Sequence, residues 1–147
     1  MQRFPHSSRD TAWAMSEENV EIVRQYFPAY DRSGVDGLAE FWHPDINYRA
    51  AEGALDDVGL MEGPEALRDY LRQWEETFAE GRMEVEELID AGDQVVALVR
   101  AIGRMKDSDA EIDLRYAILF TIRDGKIATG REYFTREEAI EAARLSE

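Results

Sequence analysis

The sequence predicts an α+β fold in which N-terminal helices pack on one face of a curved, mostly antiparallel sheet. Apolar residues recur at helical spacing in two early stretches, 16–42 and 63–78. After Gly81 the apolar period changes to two and stays there across four successive segments separated by Gly- and Asp-containing turns. Helices first and strands afterwards, rather than strict alternation, exclude a doubly wound parallel sheet.

Residues 1–14 carry no pattern and are expected to form a flexible arm, with the folded domain spanning 15–147 and Met15 a second plausible start. From Ser16 the pattern is helical. Ser16 can cap, Glu17, Glu18 and Glu21 load the positive end of the helix dipole, and Val20, Val23, Phe27 and Tyr30 share a face. Pro28 removes the bond to Arg24 and is expected to bend or end this helix, with Asp31-Arg32-Ser33-Gly34 as the stop. A short helix from Val35 to Trp42 is expected next, broken by His43-Pro44-Asp45. Ile46 to Arg49 alternates as a strand and Ala51 to Met61 reads as a loop. Gly63-Pro64-Glu65 opens a further helix, on which Leu67, Tyr70, Leu71, Trp74 and Phe78 share one face. Strands follow at about 83–90, 94–104, 111–122 and 126–134, and Thr135 to Leu145 closes as a short helix.

The strand at 111–122 has the clearest alternation. Ile112, Leu114, Tyr116, Ile118, Phe120 and Ile122 face one way, and Glu111, Asp113, Arg115 and Thr121 the other. Ala117 and Leu119 are apolar members of that second face. They predict that it is covered by a second copy of the chain in a homodimer.

Composition narrows the function. With 44% hydrophobic and 10% aromatic residues, the chain can bury a core despite a formal charge of −15. That charge repels phosphate, so nucleic acid is not an expected partner. The absence of cysteine excludes thiolate chemistry, and two histidines, His6 and His43, are too few for a His-rich metal site. No apolar run is long enough to span a bilayer and no signal-peptide core is visible, so a cytoplasmic protein without metal or cofactor is expected. The acidic run from Trp74 to Asp90, with seven acids and one arginine, reads as a solvated helix end and edge strand.

Five segments in order carry a family resemblance. They are Val23-Arg24-Gln25-Tyr26-Phe27, Phe41-Trp42-His43-Pro44-Asp45, Glu62-Gly63-Pro64-Glu65-Ala66-Leu67, Arg123-Asp124-Gly125-Lys126-Ile127, and Arg131-Glu132-Tyr133-Phe134 leading into Glu137-Glu138-Ala139-Ile140. Together they resemble the NTF2-like superfamily, in its SnoaL-like, polyketide cyclase-like branch, from about Ser16 to Leu145. The resemblance implies a cone-like fold with a pocket open at one end, usually dimeric, and activities that range from isomerases and cyclases to non-catalytic binding domains.

Candidate chemistry centres on Arg100 and Glu132. Arg100 shares parity with Val96, Leu98 and Ile102, and Glu132 with Gly130 and Phe134, so both are expected to face inward. Two inward charges invite pairing, either as a catalytic couple or as a structural ion pair; a parity shifted by one would instead leave both solvated. Limonene epoxide hydrolase is similar here: its arginine and one carboxylate match Arg100 and Glu132, but the position of its other carboxylate holds Ile102. Ketosteroid isomerase is similar at Tyr26, while its two acids fall near Ala50 and near Ala117 or Ile118. In SnoaL-type cyclases a late acid acts as acid/base, and Glu132 resembles it by position; their histidine has no counterpart, since His43 precedes the first strand and reads as a turn residue. The ionisation of Glu132 depends on Arg100: near it Glu132 stays charged, and without it burial keeps the proton on. Tyr26, Tyr30, Trp42, Tyr48, Tyr70, Trp74, Tyr116 and Phe134 are expected to line the pocket. Their polar tips suit an uncharged, mostly apolar ligand bearing one or two oxygens, such as a terpenoid, steroid or polyketide fragment. The sequence thus supports a small-molecule pocket protein, either a lyase or isomerase using Glu132, a non-catalytic binding or dimerisation domain, or an epoxide-hydrolase-like enzyme with an incomplete triad.

Overall fold

The helical periodicity of the N-terminal third becomes α1 (Ser8–Ala39), and the computed structural model describes residues 8–54 and 56–145 of the chain. The expected arm falls partly on α1, which begins at Ser8, and partly on residues 1–7, which lie outside the described residues. The helix passes through Pro28, whose position is solvent-exposed. It breaks instead at Gly34, where φ is 63° and ψ −149°, a conformation that an L side chain rarely adopts.

β1 (Trp42–Arg49) starts earlier than expected and takes in the His43-Pro44-Asp45 segment, so Trp42 opens a strand rather than ending a helix. A two-residue strand, β2 (Met61–Glu62), precedes α2 (Pro64–Thr77), which has proline in its first turn. The four predicted strands are β3 (Phe78–Ala91), β4 (Gln94–Met105), β5 (Glu111–Arg123) and β6 (Lys126–Tyr133), followed by α3 (Arg136–Leu145). They form one sheet in the order β2-β1-β6-β5-β4-β3, antiparallel throughout except where β1 runs parallel to β6. Register shifts interrupt β3 between Ala79 and Arg82 and again between Val85 and Glu87, and such bulges bend a strand and increase its twist.

The two faces of the sheet hold two separate apolar clusters. On the inner face Val23, Tyr26, Phe27, Val35 and Leu38 of α1 and Leu67 of α2 pack against Ile46, Val95, Ala97, Val99, Ile118 and Phe120 of the strands. On the outer face Ala139 and Ala143 of α3 cover Val96, Ala117 and Leu119.

This arrangement corrects two expectations. Ala117 and Leu119 are apolar because α3 of the same chain lies on them, so they are no argument for a dimer surface. In β4 the inward set is the smaller one, Val95, Ala97 and Val99, and the larger Val96 and Leu98 belong to the outer cluster. Arg100 therefore faces outward. Residue size misjudged the parity because small side chains leave room for α1 on the concave face, while α3 needs bulk beneath it.

Candidate functional site

Tyr48 and Glu132 meet inside the cone although they are 84 positions apart. β1 alternates Ile46 and Tyr48 into the core, and its parallel register sets Tyr48 beside Gly130 of β6. A β-carbon on Gly130 would stand 2.5 Å from both Cδ2 and Cε2 of Tyr48, so only glycine lets the ring lie across β6. From there the Tyr48 hydroxyl donates to Glu132 Oε2 at 2.5 Å. The amide of Ala51 donates to the same carboxyl.

Burial is the largest influence on Glu132 and pushes its pKa up, to about 7. The hydrogen bonds from Tyr48 and Ala51 oppose the shift, and the charge of Asp56 adds to it. The expected guanidinium partner is absent from the cone. Arg100 forms a bidentate pair with Asp113 on the outer face, Nε to Oδ1 at 2.8 Å and Nη2 to Oδ2 at 2.7 Å. That pair holds the Asp113 carboxyl below the usual carboxylate range. Of the two proposed partners, only Glu132 reaches the cavity.

The cavity has a volume of about 210 Å³. Seven of the eight expected aromatic residues line it: Tyr26, Tyr30, Tyr48, Tyr70, Trp74, Tyr116 and Phe134. Phe134 stands at its exposed rim with Leu114. Trp42 is the exception. It is buried behind the wall, where its indole Nε1 donates to the Tyr26 hydroxyl at 2.9 Å. Tyr26 is fixed further by edge-on contacts with Phe27, Phe41 and Phe120 at centroid distances of 5.1, 5.6 and 5.7 Å. Burial pushes the Tyr26, Tyr48, Tyr70 and Tyr116 phenols well above their ordinary pKa, and the charge of Glu132 contributes to each. These hydroxyls stay protonated at any physiological pH.

Two carboxylates at the cavity wall escaped the sequence reading. The Asp56 Oδ2 accepts from the Tyr70 hydroxyl at 2.5 Å, and the Glu75 Oε2 accepts from the Tyr30 hydroxyl at 2.6 Å. Asp56 lies in the unpatterned loop, and Glu75 lies in the acidic run read as solvated, so neither had a periodic signal. The loop is organised by Asp57. Its carboxylate accepts from Gly59 N at 3.0 Å, Gly53 N at 3.1 Å and Arg49 Nη2 at 3.0 Å, and these donors depress its pKa. His43 lies away from the cavity, where its Nδ1 accepts from the Asp45 amide at 3.0 Å and its ring sits near Asp124 and Arg123.

Chemically, the site offers one buried carboxyl that titrates near neutrality, a phenol bonded to it, and an apolar enclosure. Such a group can both take up and return a proton.

Comparison with known proteins agrees with the geometry. Residues 23–129 match the model of the SnoaL-like domain family. Among solved structures, a putative SnoaL-like polyketide cyclase from Jannaschia sp. CCS1 is 23% identical over 97% of this chain and 96% of that one, with a TM-score of 0.71. TerC, co-crystallised with polyporic acid, is 20% identical over 86% of this chain and 98% of its own, with a TM-score of 0.70. A protein of ketosteroid isomerase-like fold from Catenulispora acidiphila DSM 44928, in complex with trimethylamine, is 19% identical over 84% and 92%, with a TM-score of 0.67. These three likenesses establish a shared fold. Comparison with curated proteins found no match to the chain.

Proposed function

The chain belongs to the SnoaL-like domain family of the NTF2-like superfamily, and we propose that it binds a small, mostly apolar metabolite in the cone and moves a proton on it through Glu132. The observation that carries this reading is the Tyr48–Glu132 pair in the wall of the aromatic cavity, with no cation paired to it among the described residues. A carboxyl whose pKa lies near the working pH exchanges protons with least penalty in either direction, which suits a lyase or isomerase step without a cofactor. Tyr48 orients the carboxyl and shares its charge, and Ala51 N–H holds it from the loop side.

The epoxide-hydrolase-like alternative loses its arginine, since Arg100 pairs with Asp113 outside the cone. Non-catalytic binding keeps the same cavity and differs only in the role of Glu132. SnoaL-like proteins often form dimers, and we extend that expectation to this chain, through a surface other than Ala117 and Leu119. Light scattering at micromolar concentration tests it, and a monomer mass refutes it. No helix among the described residues is long and apolar enough to cross a membrane; a cytoplasmic location is part of the proposal.

The deciding experiment compares wild type with Glu132→Gln. Terpenoid, steroid and polyketide panels are screened by melting temperature, and extracts of the purified protein are searched by mass spectrometry for retained small molecules. The variant is expected to fold and bind but to lose turnover of any substrate so identified. If it retains full turnover, Glu132 has no acid–base role and the cavity is a binding site only.

A further inference from the structure

The three carboxylates of the cavity wall share one arrangement. Glu132, Asp56 and Glu75 each accept a hydrogen bond from a tyrosine, namely Tyr48, Tyr70 and Tyr30, at 2.5, 2.5 and 2.6 Å. Every one of those phenol hydrogens is therefore committed to a carboxylate. These three carboxylates present oxygen lone pairs to a ligand, beside the hydroxyls of Tyr26 and Tyr116 in the same lining.

Among the described residues no lysine or arginine pairs with these three carboxylates. Arg82 and Arg115 are the two basic residues of the cavity lining. Arg82 Nε pairs with Glu84 Oε1 at 3.1 Å and Arg115 Nε with Glu86 Oε1 at 2.9 Å. Both arginine side chains are more than half exposed, at the rim. Glu132 is buried, Glu75 half-buried and Asp56 exposed, so their negative potential runs from the floor of the aromatic cavity out to its mouth.

Resting on the reading of the cavity as a small-molecule site, we propose that its ligand is cationic: an ammonium group carried on a compact apolar body. An ammonium brings N–H donors and opposite charge to the carboxylate oxygens of this wall. The faces of Trp74, Tyr30 and Tyr70 around it add the attraction of aromatic quadrupoles for a cation. An ammonium beside Glu132 also favours its ionised form, the one that abstracts a proton. Carboxylate or phosphate ligands meet repulsion from the same groups. The expectation of an uncharged ligand rested on the aromatic residues without Asp56 and Glu75, whose presence alters the balance.

The test uses three probes of one shape and different charge, benzylamine, benzyl alcohol and benzoate, titrated at millimolar concentration with melting temperature and tryptophan emission as readouts. Benzylamine is expected to bind about tenfold more tightly than benzyl alcohol, with no binding of benzoate. Asp56→Asn and Glu75→Gln are each expected to weaken benzylamine several-fold and leave benzyl alcohol unchanged. Asp93→Asn, in the turn between β3 and β4, removes a charge elsewhere and is expected to change neither. Equal affinity for amine and alcohol, binding of benzoate, or an equal effect of Asp93→Asn overturns the cationic assignment and leaves the cavity reading standing. If none of the three probes binds, the cationic assignment and the small-molecule reading fall together.

Discussion

The Tyr48 ring lies against the bare backbone of Gly130, and that contact aims its hydroxyl at Glu132 two residues further along β6. A parallel pairing of the first and last strands thus creates the polar centre of the cone.

Gly130→Ala is expected to destabilise the fold by about 1–3 kcal/mol, because the new methyl overlaps a buried ring. Chemical denaturation measures the loss. The same substitution lengthens the Tyr48–Glu132 bond, which favours the ionised carboxyl. The Glu132 titration should therefore move above its wild-type midpoint, as should that of Tyr48→Phe.

Glu132 gives stability a pH dependence with a definite sign. Its folded pKa, about 7, lies above the ordinary carboxyl value of 4.5, so the folded state binds more protons between those values. Stability is fullest below pH 4.5 for this group and falls as pH rises toward 7, by on the order of 3 kcal/mol. Glu132→Gln removes the dependence. Denaturation midpoints of the variant and wild type should diverge from pH 5 to pH 8 in favour of the variant; parallel curves would show that the carboxyl is not desolvated.

Arg100→Leu is expected to leave ligand binding and the Glu132 titration unchanged, with only a small drop in melting temperature. Its partner is Asp113 on the half-exposed outer face, and such pairs contribute little. A shift in the Glu132 midpoint would show a coupling that this geometry lacks.

Trp74, and not Trp42, should report ligand binding by fluorescence, since Trp74 lines the cavity and Trp42 stands behind Tyr26. Trp74→Phe is expected to abolish the ligand-dependent change. Trp42→Phe should keep it and cost about 1–3 kcal/mol of stability, from a lost buried hydrogen bond and lost indole packing. Titrations of the two variants decide the assignment.

The sequence by itself determined the order of helices and strands, because helical and strand periods differ and turn residues mark the changes. It also determined that Glu132 shares a face with Gly130, and it supplied the aromatic set, whose convergence on one cavity the packing decided. Alternation within a strand separates two faces but does not say which is concave. β5 was readable because one of its faces is largely polar. β4 was not, because Val95, Ala97 and Val99 meet α1 while Val96 and Leu98 meet α3, leaving apolar residues on both faces. Only the tertiary structure decided that Arg100 is outside, that α3 covers Leu119, and that Trp42 supports the wall rather than forming it. Asp56 and Glu75 reached the cavity by loop path and helix rotation, and neither leaves a periodic trace in a single chain. Which charges share an enclosure depends on contacts between residues far apart in sequence, and those are set by packing, not by local pattern.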